Sequence, residues 1–234
     1  LARADPPQLD ALFPAGGTRG ETIEVKAIGK FKAWPPQVWS DHKGLRIEPT
    51  KKNGVVTIKI DPKAEFRPAL VRFFDANGSS AAKPFVVSTR DEIQEIEPND
   101  QPSKAQDLNA TPAGIVVNGI LKKEDSDFFR IMLEKGQILV ARADAYALGS
   151  SIDPFISLLD PSGHEVALVS DSHNLDPHLI HEATQSGTYL MQIFALAHPA
   201  ATAVIFSGSN SAVGRRGGSL GKADPIKIQA DHRE

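Results

Sequence analysis

The chain has 234 residues, of which 41% are hydrophobic and 24% charged, and its formal net charge is -3. That length allows one large or two medium domains, each with a core of its own, and that composition excludes wholesale disorder. The charge offers no field for grasping nucleic acid or an anionic membrane, and the absence of cysteine excludes disulfides, thiolate nucleophiles and zinc sites built on Cys.

In chain order, Leu1 is followed by Ala2-Arg3-Ala4 before Asp5, the small-x-small form left at the end of a secretory signal. An exported protein, its signal removed before Asp5, is therefore expected. Period-2 alternation then recurs, while no long 3.6-period stripe with caps at both ends is found. Ile23, Val25 and Ala27 alternate with polar residues in Thr22 to Gly29, as do Val56, Ile58 and Ile60 in Val55 to Ile60. Leu70 to Phe74 and Lys83 to Ser88 follow as strand candidates, and Ser103 to Leu108 is the single modest helical candidate. Beyond it the spacing predicts strands at Phe128 to Leu133, Gln137 to Ala143, Phe155 to Leu159, Glu165 to Ser170 and Thr188 to Phe194. Asn53-Gly54, Asn77-Gly78, Pro161-Ser162-Gly163 and Ser186-Gly187 supply turns between them, and 17 prolines with 18 glycines suit strands better than helices. The fold class is all-β, as antiparallel sandwiches.

The charged stretch Thr89-Arg90-Asp91-Glu92 separates two apolar runs, so the chain divides there into a first domain, 1–90, and a second, 91–206. The longest apolar neighbourhood, Ala195 to Phe206, is broken by His198 and Pro199 and is too short to span a bilayer. Beyond Ser207 no periodic apolar set remains, which predicts a flexible tail over 207–234. A short strand at Ile226 to Ala230 either closes the sheet or belongs elsewhere.

Four signatures in order carry a family resemblance. They are Glu95-x-Glu97-Pro98-Asn99-Asp100, then Asp125-x-Asp127-Phe128-Phe129 after Gly119. Asp153-Pro154-x-Ile156-x-Leu158-x-Asp160-x-x-Gly163 and Ser186-Gly187-Thr188-Tyr189 complete the set. From Glu95 onward the chain resembles the bacterial pre-peptidase C-terminal (PPC) domain. That resemblance implies a jelly-roll β-sandwich appended to secreted hydrolases and cell-surface proteins. The first ninety residues resemble an immunoglobulin-like module of the IPT/TIG type. The match rests on Leu12-Phe13-Pro14-Ala15-Gly16-Gly17 with Gly20, and on Asp75 to Ser80 before Phe85-Val86-Val87.

The acidic run at Glu95 is the least ordinary stretch. On an extended segment Glu95 and Glu97 project to one side, Pro98 stops the strand, and Asn99 with Asp100 can turn their oxygens back towards them. Carboxylates held together repel unless a cation neutralises them, and a hard ion taking six to eight oxygens at about 2.3–2.6 Å points to Ca²⁺. Glu124, Asp125 and Asp127 are available to complete such a set. The family resemblance carries calcium ligation onto Glu95, Glu97, Asn99, Asp100, Glu124 and Asp127. The alternative from the residues alone is that Asn99 and Asp100 cap the turn at Ser103 while the glutamates are solvated edge charges.

Catalysis finds little support. His164, His173, His178 and His181 fall close together, but the family resemblance implies a strand there, on which His178 and His181 diverge, and there is no H-E-x-x-H. No G-x-S-x-G elbow is present, and the glycine-rich 214–221 stretch lacks the ending of a phosphate loop. Trp34 and Trp39 lie in a proline-rich loop, where they either offer a platform to a sugar or peptide or fill the first core. The sequence therefore points to a non-catalytic accessory or binding module of a secreted, periplasmic or cell-surface protein, calcium-stabilised, with an extracellular polysaccharide or matrix protein as partner. A secreted hydrolase or a purely structural spacer is the rival reading.

Overall fold

A computed structural model of the chain describes residues 5–108, 114–122, 125–172, 175–195 and 204–211. The expectations for Ala2-Arg3-Ala4, Glu124, His173, the glycine-rich stretch at 214–221 and Ile226 to Ala230 lie outside the described residues.

The protein is all-β and forms two sandwiches. The first contains β1 (Gln8–Phe13), β2 (Gly16–Thr18), β3 (Thr22–Lys30), β4 (Gln37–Ser40), β5 (Leu45–Pro49), β6 (Val55–Ile60), β7 (Pro68–Asp75), β8 (Gly78–Ser79) and β9 (Lys83–Ser88). One sheet runs β1-β3-β6-β5 and the facing one β2-β9-β7-β4, with β8 paired to β7. Alternation explains why these segments are strands: in β7 every second residue, Ala69, Val71 and Phe73, is buried, and in β6 Val56, Ile58 and Ile60 are. The two inward faces meet in a core of Leu9, Leu12, Val25, Val56, Ile58, Ile60, Phe73 and Phe85 among others.

The second sandwich contains β10 (Asp91–Gln94), β11 (Gln106–Asp107), β12 (Ile115–Gly119), β13 (Ser126–Leu133), β14 (Ile138–Asp144), β15 (Pro154–Leu159), β16 (Glu165–Val169), β17 (His178–Glu182), β18 (Gly187–Ala195) and β19 (Val204–Ser211). Its sheets run β10-β12-β19-β14-β17 and β11-β13-β18-β15-β16. Between them lies a core that includes Phe129, Ile131, Leu133, Leu139, Ile156, Leu158, Tyr189 and Met191. A small third cluster, Ala15 and Val116 with Phe13, Val86 and Leu148 around them, joins the two sandwiches.

Two expectations change. Ser103 to Leu108 is not a helix: a single 3-10 turn at Pro102–Lys104 gives way to β11, because Gln106 and Asp107 find partners on β13. Backbone pairing to a neighbour outweighs one isolated helical turn, which is costly to nucleate. The strand pattern also continues past Ser207. β19 runs to Ser211 between β12 and β14, and the ladders on both sides supply what the apolar pattern there lacks.

Most pairings are antiparallel, but β10 runs parallel to β12 and β11 parallel to β13. The pair β10 and β12 belongs to one sheet and the pair β11 and β13 to the other, so the links 95–105 and 120–125 both cross between the sheets, side by side. That adjacency builds the site.

Candidate cation pocket and interdomain seam

Glu95 leaves β10 and turns back onto the end of β12. Its Oε1 accepts from the Ile120 N–H at 2.6 Å, and its Oε2 is buried and meets no N–H or O–H donor. Gly119 makes this possible, since a Cβ added there would collide with Glu95 Oε2. Asn99, on the same crossing, is fully buried and its backbone oxygen accepts from Phe128 N at 2.8 Å. Its amide nitrogen donates to Glu97 Oε2 at 3.0 Å and to Asp127 Oδ1 at 3.2 Å. Asp127, at the start of β13, is itself buried. Glu95, Glu97, Asn99 and Asp127 thus come together from two crossings more than twenty residues apart.

Burial raises both inner carboxyls. Asp127 is pushed up to about 9, first by loss of water and then by the charges of Glu95, Asp125 and Glu97. Glu95 is also raised by burial, with Glu97 and Asp125 adding repulsion and the Ile120 N–H opposing it. On the outer side Lys122 Nζ contacts Glu97 Oε1 at 2.5 Å.

The predicted ligands are therefore placed unevenly. Asp100 is half exposed and faces Lys104 Nζ at 3.9 Å rather than the pocket. Asp125 contributes charge, yet its two oxygens accept from the Lys122 and Ser126 N–H groups. Among the described residues no group of three or more His, Asp or Glu side chains is arranged to hold a metal ion. Even so, the chemistry of the inner donors suits a hard cation: two desolvated carboxyls, one oxygen without a donor, and an amide able to present its oxygen in place of its nitrogen. Lys122 was not anticipated from the sequence, because nothing local marks it as a partner of Glu97, 25 positions away.

Just upstream, Glu92 on β10 occupies the seam between the sandwiches. Its Oε2 accepts from Asn118 Nδ2 at 3.0 Å, while Asn118 Oδ1 accepts from the Ala15 N–H at 3.0 Å. Burial raises Glu92 to about 7 against the opposing hydrogen bonds of Asn118 and Ser88, and the charge of Glu21 adds to the rise. A cleft of about 310 Å³ opens beside it, lined by Pro14, Glu21, Glu24, Ile93 and Gln94 among others.

The tryptophans separate. Trp34 is half-buried on the first core, edge-on to Phe31 and Phe73, and its Nε1 donates to Thr50 O at 2.7 Å. Trp39, on the edge strand β4, is 48% exposed opposite Arg72. Of the histidines, His164 is exposed beside Asp160, and His178 and His181 lie on β17 at i and i+3, hence on opposite faces. His181 packs against Tyr189 while His178 is exposed. No helix among the described residues is long and apolar enough to cross a membrane.

No protein-family model matches the chain, and no curated protein matches it. Among solved structures it is similar to PliG, a periplasmic lysozyme inhibitor of g-type lysozyme from Aeromonas hydrophila (10% identity, 52% of this chain, 99% of that one, TM-score 0.38). It is similar to the pre-peptidase C-terminal domain of collagenase from Bacillus anthracis (14% identity, 48% of this chain, 100% of that one, TM-score 0.36). It is also similar to SGBP-B of the mixed-linkage glucan utilization locus of Bacteroides ovatus (9% identity, 88% of this chain, 74% of that one, TM-score 0.28). Likeness at this level passes no function to this chain.

Proposed function

We propose that the chain is a non-catalytic accessory module of a secreted or cell-surface protein, and that its second sandwich is clamped by Ca²⁺ at Glu95, Glu97, Asn99 and Asp127. The observation that carries this reading is the buried Glu95 Oε2, which has no donor and lies in a pocket with the desolvated Asp127 carboxyl. The sequence resemblance of the same run to PPC domains supports it. Calcium supplies charge neutralisation and nothing else. The protein's own groups do the rest: Asn99 turns its amide oxygen inward, Glu97 exchanges Lys122 for the ion, and the two crossings are tied together. Glu124 is a further candidate ligand, and Trp39, with its ring open to solvent, is the candidate contact for an extracellular polymer.

Thermal melting with added calcium and then with chelator tests the clamp. With an extracellular-type dissociation constant of about 10⁻⁴–10⁻³ M, millimolar calcium stabilises the folded state by about 1 kcal/mol. The midpoint is expected to rise in the wild type and to stay unmoved in Glu97→Ala; no rise in either removes calcium from the reading.

A further inference from the structure

Asn118 is the hub of the seam. Its backbone oxygen accepts from Glu95 N at 2.9 Å within the second sandwich, while its buried side chain holds both Glu92 and the Ala15 amide of the first. Ala15 in turn accepts from Val86 N at 2.8 Å, so the chain from β9 through Ala15 to β12 is continuous. Packing leaves little slack, since a Cβ added at Gly16 would stand 3.1 Å from Glu92 Oε2. The cleft gives Glu92 a path to solvent.

We propose that Glu92 is a proton-controlled latch between the two sandwiches: while it is neutral Asn118 keeps its hold on Ala15, and when it ionises that hold loosens. A neutral carboxyl tolerates the dry seam, whereas a carboxylate there lacks water. From the first sandwich Glu21, exposed, repels it, and Glu24, also exposed, lines the same cleft. From β12 the neutral Asn118 faces it. On its own segment are Asp91, exposed, and Arg90, whose carbonyl accepts from Thr18 and Ser88. Ionisation strengthens the bond from Asn118 but leaves Glu92 Oε1, buried without a partner, as an uncompensated charge beside Glu21, and that charge is relieved when the seam parts to admit water. Asn118 Nδ2 stays with the carboxylate, and as the seam parts its Oδ1 gives up the Ala15 amide on the other sandwich. The raised acid places the change between its ordinary value of 4.5 and about 7: the closed seam is fully favoured below that window and weakened as pH rises through it.

Hydrogen exchange at the Ala15 amide, corrected for the intrinsic chemical rate and measured on the full chain with chelator present, tests this. Between pH 4.5 and 7.5 the opening constant is expected to rise at least tenfold in the wild type and to stay flat in Glu92→Gln. Glu21→Gln, on the exposed rim, is expected to shift the midpoint to lower pH. Asp127→Asn, which alters only the neighbouring pocket, should retain the rise. A flat wild type, an equal rise in Glu92→Gln, an unmoved midpoint in Glu21→Gln, or loss of the rise in Asp127→Asn each overturns the latch.

Discussion

Two buried carboxyl sites lie a few residues apart on either side of the end of β10, and they withdraw charge from water differently. At Glu95, Glu97 and Asp127 like charges are gathered, and one amide bridges Glu97 and Asp127. At Glu92 a single acid meets an amide whose other end is committed to a different sandwich. The lesson is that burial alone raises a carboxyl, while its neighbours decide what the rise is good for. Gathered acids raise one another as well as being raised by burial, whereas burial is the main cause at the acid between domains.

The largest expected effect comes from removing the mediator. Asn99→Ala leaves Glu97 and Asp127 without their shared donor in a buried pocket and is expected to destabilise the protein by about 2 kcal/mol, lowering the thermal midpoint by several degrees. Calcium should restore part of that loss if the carboxyls themselves hold the ion.

Next is the pH window. Asp127 is raised in the folded state above its ordinary 3.8, so its contribution is fully present below about 4 and is lost as pH rises towards about 9. Urea unfolding of the chelated protein across that range should show falling stability, and Asp127→Asn should flatten the upper part of the curve. Glu92→Gln should remove only the portion between 4.5 and about 7. If Glu92→Gln also flattens the portion above about 7, where only Asp127 is expected to act, the two sites are not separate.

A smaller effect sharpens the comparison from outside the pocket. Lys122→Gln removes the ammonium that contacts Glu97. Without calcium the melting midpoint should fall slightly, and the shift on adding calcium should grow, because the ion no longer competes with a resident positive charge. A calcium shift equal to that of the wild type would mean that Glu97 is not a ligand. The smallest effect on folding belongs to Trp39→Ala, which leaves an exposed edge-strand position. The expected change in stability is within about 0.5 kcal/mol, while retention on immobilised polysaccharide or collagen should drop.

Much of the fold was legible without coordinates where one face of a strand is buried. Val55 to Ile60 and Lys83 to Ser88 coincide with β6 and β9, because alternation writes inward and outward faces directly into the residues. β4, β10 and β11 were not legible, and β17 came only with the family resemblance: all four are short edge strands, and pairing rather than a buried face makes them strands. The same division runs through the site. The crowding of Glu95, Glu97 and Asn99 is local and was visible as a motif, whereas the turn of Asp100 towards Lys104 was not.

The sequence by itself determined an all-β chain and an acidic run next to a proline, since alternation and local charge need no knowledge of distant neighbours. Tertiary structure alone decided which acids meet. Parallel pairing of β10 with β12 and of β11 with β13 sets two crossings side by side and so brings Glu95 to Ile120 and Asn99 to Asp127. It likewise decided that Asn118 holds Ala15 across 103 positions, and that His42 is buried with its Nδ1 accepting from Gly44 N and its Nε2 against Glu65 O. The reason is physical: a buried polar group must find a partner wherever the folded chain supplies one, and spacing along the sequence does not record where that will be.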